Sequence, residues 1–452
     1  MRRVFGRYVG TAAFVLGAIE ALLITAAFCV GIAYMSGHQT VGVTAYDLRF
    51  SLAIVLTILI VMYLTGLYGT EALFDLRRTL PRIAFVTAAV FMLAVFATGQ
   101  LTQFNLIAIY PDRWLWTISL TAVWLLCVLA PRMLFTQLVE NGVVARRIVV
   151  VGDEPGHSRI AALSRELPRR FTVAAELSNS NFDFDLAALA ARVGAAEIVV
   201  AGDAITDCTR DALRKSKRSG ASVIKYANFY ERETGRVDLT NSTEDWSRIC
   251  TLQKKGLLVG IFQRAFDICI SLLAFAVAAP VMLLAAIAIK LEDGGPVLFR
   301  QERVGLGGRN FTLVKFRSMH VNAEGDGAPT WAEHNDPRIT RAGYFIRKLR
   351  IDELPQFWNV IKGDMSFIGP RPERPYFVRQ LAEVIPYYDF RHCVRPGLTG
   401  WAQVSFRYSA SFEDARIKTA YDLYYVKHRG ILLDLIILMR TVVVVLWPEG
   451  VR

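Results

Sequence analysis

The stretch FDICISLLAFAVAAPVMLLAAIAIK, residues 266–290, is apolar enough to enter a bilayer and carries Pro280 in its middle. A hydrocarbon core takes about 20 helical residues. Proline removes a backbone donor and clashes with the preceding turn, so it kinks or breaks a helix. Basic residues flank both sides, with Lys254, Lys255 and Arg264 before the run and Lys290, Arg300 and Arg303 after it. Because Lys and Arg stay on the cytoplasmic side, a single crossing would strand one of these clusters outside. A re-entrant helix over 262–290, entering, bending at Pro280 and returning, keeps both inside, with the freed backbone groups covered by neighbouring side chains. A crossing fifth span is the alternative, and it would place the rest of the chain on the opposite side.

Upstream, four more apolar runs occupy Val9 to Met35, Leu52 to Gly69, Ile83 to Gly99 and Trp114 to Leu134. Each suits a membrane span, giving an expected four-span domain over 1–140. The first exceeds a signal-peptide core and no A-x-A site follows, so it reads as retained. Arg2, Arg3 and Arg7 precede the first span, Arg77, Arg78 and Arg82 lie between the second and third, and Arg132, Arg146 and Arg147 flank the fourth. The alternate loops hold only Arg49 and Arg113, so both ends of the bundle face the cytoplasm. Trp114, Trp116 and Trp124 read either as interfacial anchors or as lipid-facing bulk.

Composition agrees. Of 452 residues, 53% are hydrophobic and 20% charged, which excludes a purely soluble or disordered chain. With 52 Lys and Arg against 40 Asp and Glu the net charge is +12, which calls for an anionic partner, a membrane surface or both. The six cysteines include no close pair, arguing against a disulfide scaffold or a cysteine zinc site.

Residues 141–250 change character. Ile148 to Asp153 reads as a buried strand entering a glycine turn, Ser158 to Leu167 as a helix, and Phe171 to Leu177, Glu197 to Ala201 and Ser222 to Tyr226 as further strands. This alternation predicts a Rossmann-like parallel α/β domain. The turn reads G-D-E-P-G-H, not G-x-G-x-x-G, and Asp153 and Glu154 would repel a pyrophosphate. A structural, regulatory or dimerising role is therefore expected, the last implying a homodimer.

The remaining segment, 251–452, carries the chemistry-bearing strings. Asp352 and Glu353 are adjacent, and helical neighbours diverge by about 100°, so they divide labour instead of chelating together. One suits a nucleophile or base, the other a hard divalent cation bridging to phosphate. Arg347, Lys348 and Arg350 just upstream are expected to favour both ionised forms. An isolated D-E would more simply sit at a helix N-terminus. Lys315 and Arg317 alternate around Phe316 in a strand-like run, placing both on one face. Arg371 and Arg374 lie in a proline-stiffened loop suited to a fixed phosphate clamp. For each cation, solvation or contact with membrane lipid headgroups is the competing explanation. No nucleic-acid-binding signature accompanies the charge. Ile431 to Trp447, interrupted by Asp434 and Arg440, reads as an interfacial helix or a buried one.

The strings DELPQFWNVIKGDMSFIGPRPE at 352–373 and RPGLTGWAQV at 395–404 strongly resemble the bacterial sugar transferases, the polyprenyl-phosphate hexose-1-phosphate transferases. The likeness covers about Lys255 to the end, and the upstream layout resembles the large four-span members. It implies transfer of sugar 1-phosphate from a UDP-hexose to undecaprenyl phosphate with release of UMP, at the cytoplasmic face of the bacterial inner membrane. It further implies Asp352 as nucleophile, Glu353 as ligand of Mg2+, and Lys315, Arg317 and Arg371 as phosphate holders. Gln301, Arg303, Asp364 and Asp422 are implied as further site members. The family bends its re-entrant helix at Ser-Pro, whereas this chain has Ala279-Pro280. The competing functions are a glycosyltransferase releasing UDP, a membrane nucleotide-sugar dehydratase or epimerase, and a lipid-binding regulator.

Overall fold

The computed structural model describes residues 11–35, 55–62, 76–103, 113–140, 145–167, 170–178, 185–202, 206–242, 244–252, 257–321, 336–406 and 411–446, with isolated positions near 3–8, 65–68 and at 323. They divide into two compact units, Met1–Tyr226 and Ala227–Arg452.

In the first unit, helices Thr11–Met35, 55–62, Leu76–Gln103 and Arg113–Glu140 fall on the four apolar runs. Ile24, Val55, Ile58, Met62, Ile83, Val86, Trp124 and Val128 share one buried core. The outer faces are apolar as well, with Leu22, Met92 and Leu126 each about two-thirds exposed, as suits a lipid solvent. Among the described residues of this unit, Thr121–Val139 is long and apolar enough to cross a membrane, while Val15–Ala27 and Arg82–Met92 are shorter apolar helices.

Two expectations are corrected here. Trp124 is neither interfacial nor lipid-facing, because it fills the core. Arg132 is no flanking cation: its Nε lies 2.7 Å from Glu20 Oε1, its Nη1 donates to Leu67 O at 2.9 Å, and Tyr68 donates to Glu20 at 2.6 Å. A buried charge requires such pairing, and the guanidinium turned inward to find it. Arg2, Arg49, Lys254 and Lys255, the ends of the first two apolar runs, and the side chains of Arg3, Arg7, Arg77, Arg78, Arg113, Trp114 and Trp116 lie outside the described residues.

The parallel sheet is present. Strands β1 (Arg146–Gly152), β2 (Phe171–Ser178), β3 (Glu197–Val200) and β4 (Val223–Lys225) pair in parallel in the order β2-β1-β3-β4. The first helix, Glu154–Glu166, starts four residues earlier than expected because Asp153 caps it, accepting from Gly156 N at 2.9 Å, and proline stands in its first turn. That carboxylate occupies the helix N-terminus where a pyrophosphate would sit. A Cβ on Gly156 would come within 1.5 Å of Ala201 O, so the turn packs directly against the end of β3.

The second unit begins earlier than the expected boundary at 250. Val237, Leu239 and Trp246 belong to a core with Phe377, Leu381, Tyr388 and Leu423. Trp401 Nε1 donates to Gly235 O at 2.7 Å, and Lys427 reaches Glu231 at 2.8 Å and Glu244 at 2.6 Å. Cys250 and Cys393 form a disulfide, contrary to the expectation from cysteine spacing. The partners are 143 residues apart, a pairing that only the fold reveals.

The long helix Leu257–Asp293 runs unbroken, with Pro280 inside it, where a break was expected. One proline deletes one hydrogen bond, and the helical bonds on either side carry the element through. Near its start, Arg264 donates to Val360 O and Ile361 O at 2.6 Å each, and Asp267 accepts from Ser366 Oγ at 2.9 Å and Phe367 N at 3.1 Å. Near its end, Ala285 and Ile289 pack on Phe316 and Ile346, Glu292 accepts from Arg341 N at 2.7 Å, and Asp293 pairs with Arg317. Between these anchors Val277 is 72% exposed and Leu284 67%.

The remaining strands are an antiparallel ribbon, β5 (Leu298–Val304) with β6 (Asn310–Phe316), and a parallel pair, β7 (Ser366–Ile368) with β8 (Gly397–Thr399). The helix Ile431–Leu446 buries Leu433 and Ile437, as the buried alternative expects, and exposes Ile431 and Leu435. Its charges turn inward, Asp434 accepting from Tyr425 OH at 3.0 Å and Arg440 lying 4.7 Å from the Trp401 ring centroid. Trp447 lies outside the described residues.

Candidate active site

The helix Arg341–Lys348 is capped by Thr340, which accepts from Gly343 N at 2.9 Å, and buries Ile346 against the long helix. It ends where Arg350 takes a left-handed backbone, φ 58°. For a residue with a Cβ that conformation costs about 1–2 kcal/mol. The turn redirects the chain into the 3-10 segment Ile351–Glu353, which carries both carboxylates.

Their environments push them apart. Burial and the adjacent Glu353 charge raise the Asp352 carboxyl to about 6, against the pull of Lys315, Arg371 and Arg347. Glu353 is also buried, yet Arg371 and Arg350 outweigh that and hold it below the usual carboxylate range. The expectation that the upstream cations favour both ionised forms thus holds for Glu353 and fails for Asp352, where desolvation wins. Arg371 Nη2 donates to Glu353 Oε1 at 2.7 Å, and Arg350 Nη1 approaches the same oxygen at 3.4 Å.

The ribbon delivers the next cation. Register pairs Phe299 with Lys315, Gln301 with Leu313 and Arg303 with Phe311, so Gln301, Arg303 and Lys315 share a face. Lys315 Nζ lies 5.3 Å from the Phe299 ring centroid, and burial together with Arg303 lowers its ammonium to about 8. Arg303 donates to Gln301 Oε1 at 2.6 Å and to Pro372 O at 3.0 Å, tying the ribbon to the Arg371 loop.

That loop is fixed by backbone contact. A Cβ on Gly369 would meet Arg395 O at 2.3 Å, and one on Gly400 would meet Gly369 O at 2.1 Å. The GPRP and RPGLTG strings are therefore two halves of one crossing, sealed by Gly369 N to Thr399 O at 2.8 Å and Gly397 N to Pro370 O at 2.9 Å.

The other expected members make contacts of their own. Arg317 pairs with Asp293 instead of joining the carboxylates, since β6 ends at Phe316 and its alternation stops there. Arg374 caps the helix Pro375–Val384 through its backbone, its carbonyl accepting from Val378 N at 3.0 Å. Asp364 meets Lys362 at 3.1 Å and Asn359 at 3.3 Å. Asn359 was missed by the sequence analysis; it holds β6 by accepting from Val314 N at 3.0 Å and donating to Thr312 O at 2.7 Å. Asp422 is buried against Arg391, also missed, at 2.7 Å. An Arg in R-H-C or an Asn in F-W-N carries no local signal, because their partners lie far along the chain.

No group of three metal-ligating side chains occurs among the described residues. Mg2+ ordinarily takes only one or two carboxylates, completing its shell with water and substrate phosphate. Glu353 fits that demand as a single carboxylate, since the contacts from Arg371 and Arg350 both fall on its Oε1.

A carboxylate pair thus lies within the field of Lys315, Arg347 and Arg371, in a unit that also carries an exposed apolar helix. Residues 258–448 match the family model described as bacterial sugar transferase. A putative undecaprenyl-phosphate N-acetylgalactosaminyl 1-phosphate transferase of Bacillus subtilis is 50% identical over 141 residues, 31% of this chain and 78% of that protein. The UDP-N-acetylgalactosamine-undecaprenyl-phosphate N-acetylgalactosaminephosphotransferase of Aeromonas hydrophila is 47% identical over 222 residues, 49% of this chain and 52% of the relative. The UDP-glucose:undecaprenyl-phosphate glucose-1-phosphate transferase of Escherichia coli is 41% identical over 184 residues, 40% of this chain and 39% of the relative. The chain belongs to the bacterial sugar transferase family. The match spans about half the length of the Aeromonas protein and less of the Escherichia one.

Proposed function

We propose that this protein transfers a sugar 1-phosphate from a UDP-sugar to undecaprenyl phosphate and releases UMP, initiating an exopolysaccharide, capsule or O-antigen chain. The observation that carries the proposal is the Arg371–Glu353 contact at 2.7 Å, which pins one carboxylate of the pair and leaves its neighbour Asp352 in the field of Lys315, Arg371 and Arg347. Asp352 is the more basic of the two, and Glu353 stays ionised against Arg371. A pair so divided supplies a nucleophile and a fixed anion.

An Asp352 oxygen attacks the sugar-bearing phosphorus, the bond from that phosphorus to the bridging oxygen breaks, and UMP leaves with that oxygen. A phosphate oxygen of undecaprenyl phosphate then attacks the phosphosugar-aspartate at phosphorus and frees the Asp352 carboxylate. Arg371 and Lys315 orient the phosphate oxygens and offset their charge. Bound Mg2+, held by Glu353, would supply neutralisation of the pyrophosphate charge.

The membrane arrangement is part of the proposal: four spans, then a re-entrant segment, with the site on the cytoplasmic face of the inner membrane. Anchoring of both ends of the long helix by the same unit supports re-entry over crossing, because its exposed apolar middle is flanked by contacts to one body. The test is incubation of the purified full-length protein with undecaprenyl phosphate, Mg2+ and a panel of UDP-sugars including glucose, galactose and N-acetylgalactosamine. UMP release with lipid-linked sugar diphosphate is expected; UDP release would mean transfer of the sugar alone and would overturn the proposal.

A further inference from the structure

We propose that Arg391 is a positioning residue for the transfer reaction, holding Arg371 in place through the Arg371 backbone carbonyl, with Asp422 as its counter-ion. This deepens the function proposed above and rests on it.

Arg391 is 5% exposed and Asp422 2%. Its Nη2 donates to Arg371 O at 2.8 Å and to Asp422 Oδ2 at 2.7 Å, its Nε reaches the same carboxylate oxygen at 3.2 Å, and its Nη1 donates to Tyr388 OH at 3.1 Å. One planar fork thus joins the helix Phe412–His428, the 3-10 turn Tyr388–Cys393 and the loop that presents Arg371 to Glu353. A buried ion pair is by itself weak evidence for stability, since desolvation cancels much of its Coulomb gain. What this pair adds is direction: a rigid guanidinium fixes a backbone atom of the very residue whose own guanidinium sits on Glu353. Arg303 grips the next carbonyl, Pro372 O, from the ribbon side. The two clamps hold consecutive peptide carbonyls, so the origin of the Arg371 side chain is set from both flanks. Lysine at 391 keeps the charge, but a single ammonium cannot reproduce contacts to Asp422, Tyr388 and Arg371 in one plane.

The test uses the full-length protein and two readouts. Peptide-level hydrogen exchange should show faster exchange over residues 369–374 in Arg391→Lys and in Asp422→Asn, with the β5–β6 ribbon unchanged. In steady-state UMP release, Arg391→Lys should lower kcat about tenfold while KM moves less than twofold, the pattern of an interaction realised in the transition state. In an Arg371→Ala background the same substitution should add no further loss, because residues acting as one unit are not additive. Unchanged loop exchange, or losses that multiply in the double variant, would overturn the assignment. Should Arg391→Lys fail to fold, Asp422→Asn provides the same comparison. The exchange result decides the positioning role even if no UDP-sugar is turned over, an outcome that would fault the proposed reaction alone.

Discussion

Arg371 and Glu353, 18 residues apart in sequence, meet at 2.7 Å, and the guanidinium is held even more firmly in its charged form by that carboxylate. The contact fixes one member of the acidic pair as a permanent anion. Its neighbour Asp352, left with burial and a like charge beside it, becomes the more basic oxygen donor.

Asp352→Asn should abolish turnover and raise stability. An acid raised to about 6 when folded binds its proton more readily in the native than in the unfolded state. The ionised form is therefore destabilising, an effect that sets in as pH rises from the unfolded value and is complete above the folded one. Removing the charge should stabilise the protein by about 1–2 kcal/mol at neutral pH, after allowance for partial exposure. Denaturation midpoints in detergent measure this; an Asn variant less stable than the parent contradicts it.

The rate should respond to pH through the same group. In the proposed reaction attack needs the Asp352 carboxylate, so kcat/KM should fall on acidification with a midpoint near the value of about 6 set by burial and Glu353. A limb with its midpoint near 4, the ordinary aspartate range, would show that the pair is not divided as described.

The two ends of the long helix should share a compartment. Cysteines introduced at Gly260 and Leu291, both exposed positions, should react with the same membrane-impermeant reagent from the cytoplasmic side only. Opposite accessibility would mean that the segment crosses the bilayer.

Thiol content is countable. With Cys250 and Cys393 joined, Cys29, Cys127, Cys208 and Cys269 remain free, so denatured, unreduced protein should titrate four thiols of the six cysteines. Six would show the pair reduced, as the cytosolic redox poise favours for most proteins.

Much of this was legible in the sequence wherever the signal is local. Ile148 to Val151 announced a strand buried on both faces, and β1 is one. Asp352 and Glu353 stood out as an adjacent acidic pair among cations, and the structure surrounds them with cations. The errors came where a side chain's partner lies far along the chain. Arg132 read as a loop cation until Glu20 appeared opposite it, 112 residues away. Arg317 read as a companion of Lys315, but a strand ending at Phe316 and an aspartate at the end of the long helix took it elsewhere. Pro280 does not end its helix, which stays helical on both sides of the missing donor, and the re-entry proposed above asks of it only a bend.

The glycine crossing between the Gly369 and Gly400 turns has a practical corollary. Since main chain touches main chain there, the segment cannot be reshaped by swapping in larger residues. Variation is left to the side chains that project off this frozen junction. A saturation library should therefore be barren at the glycines and fertile at their neighbours.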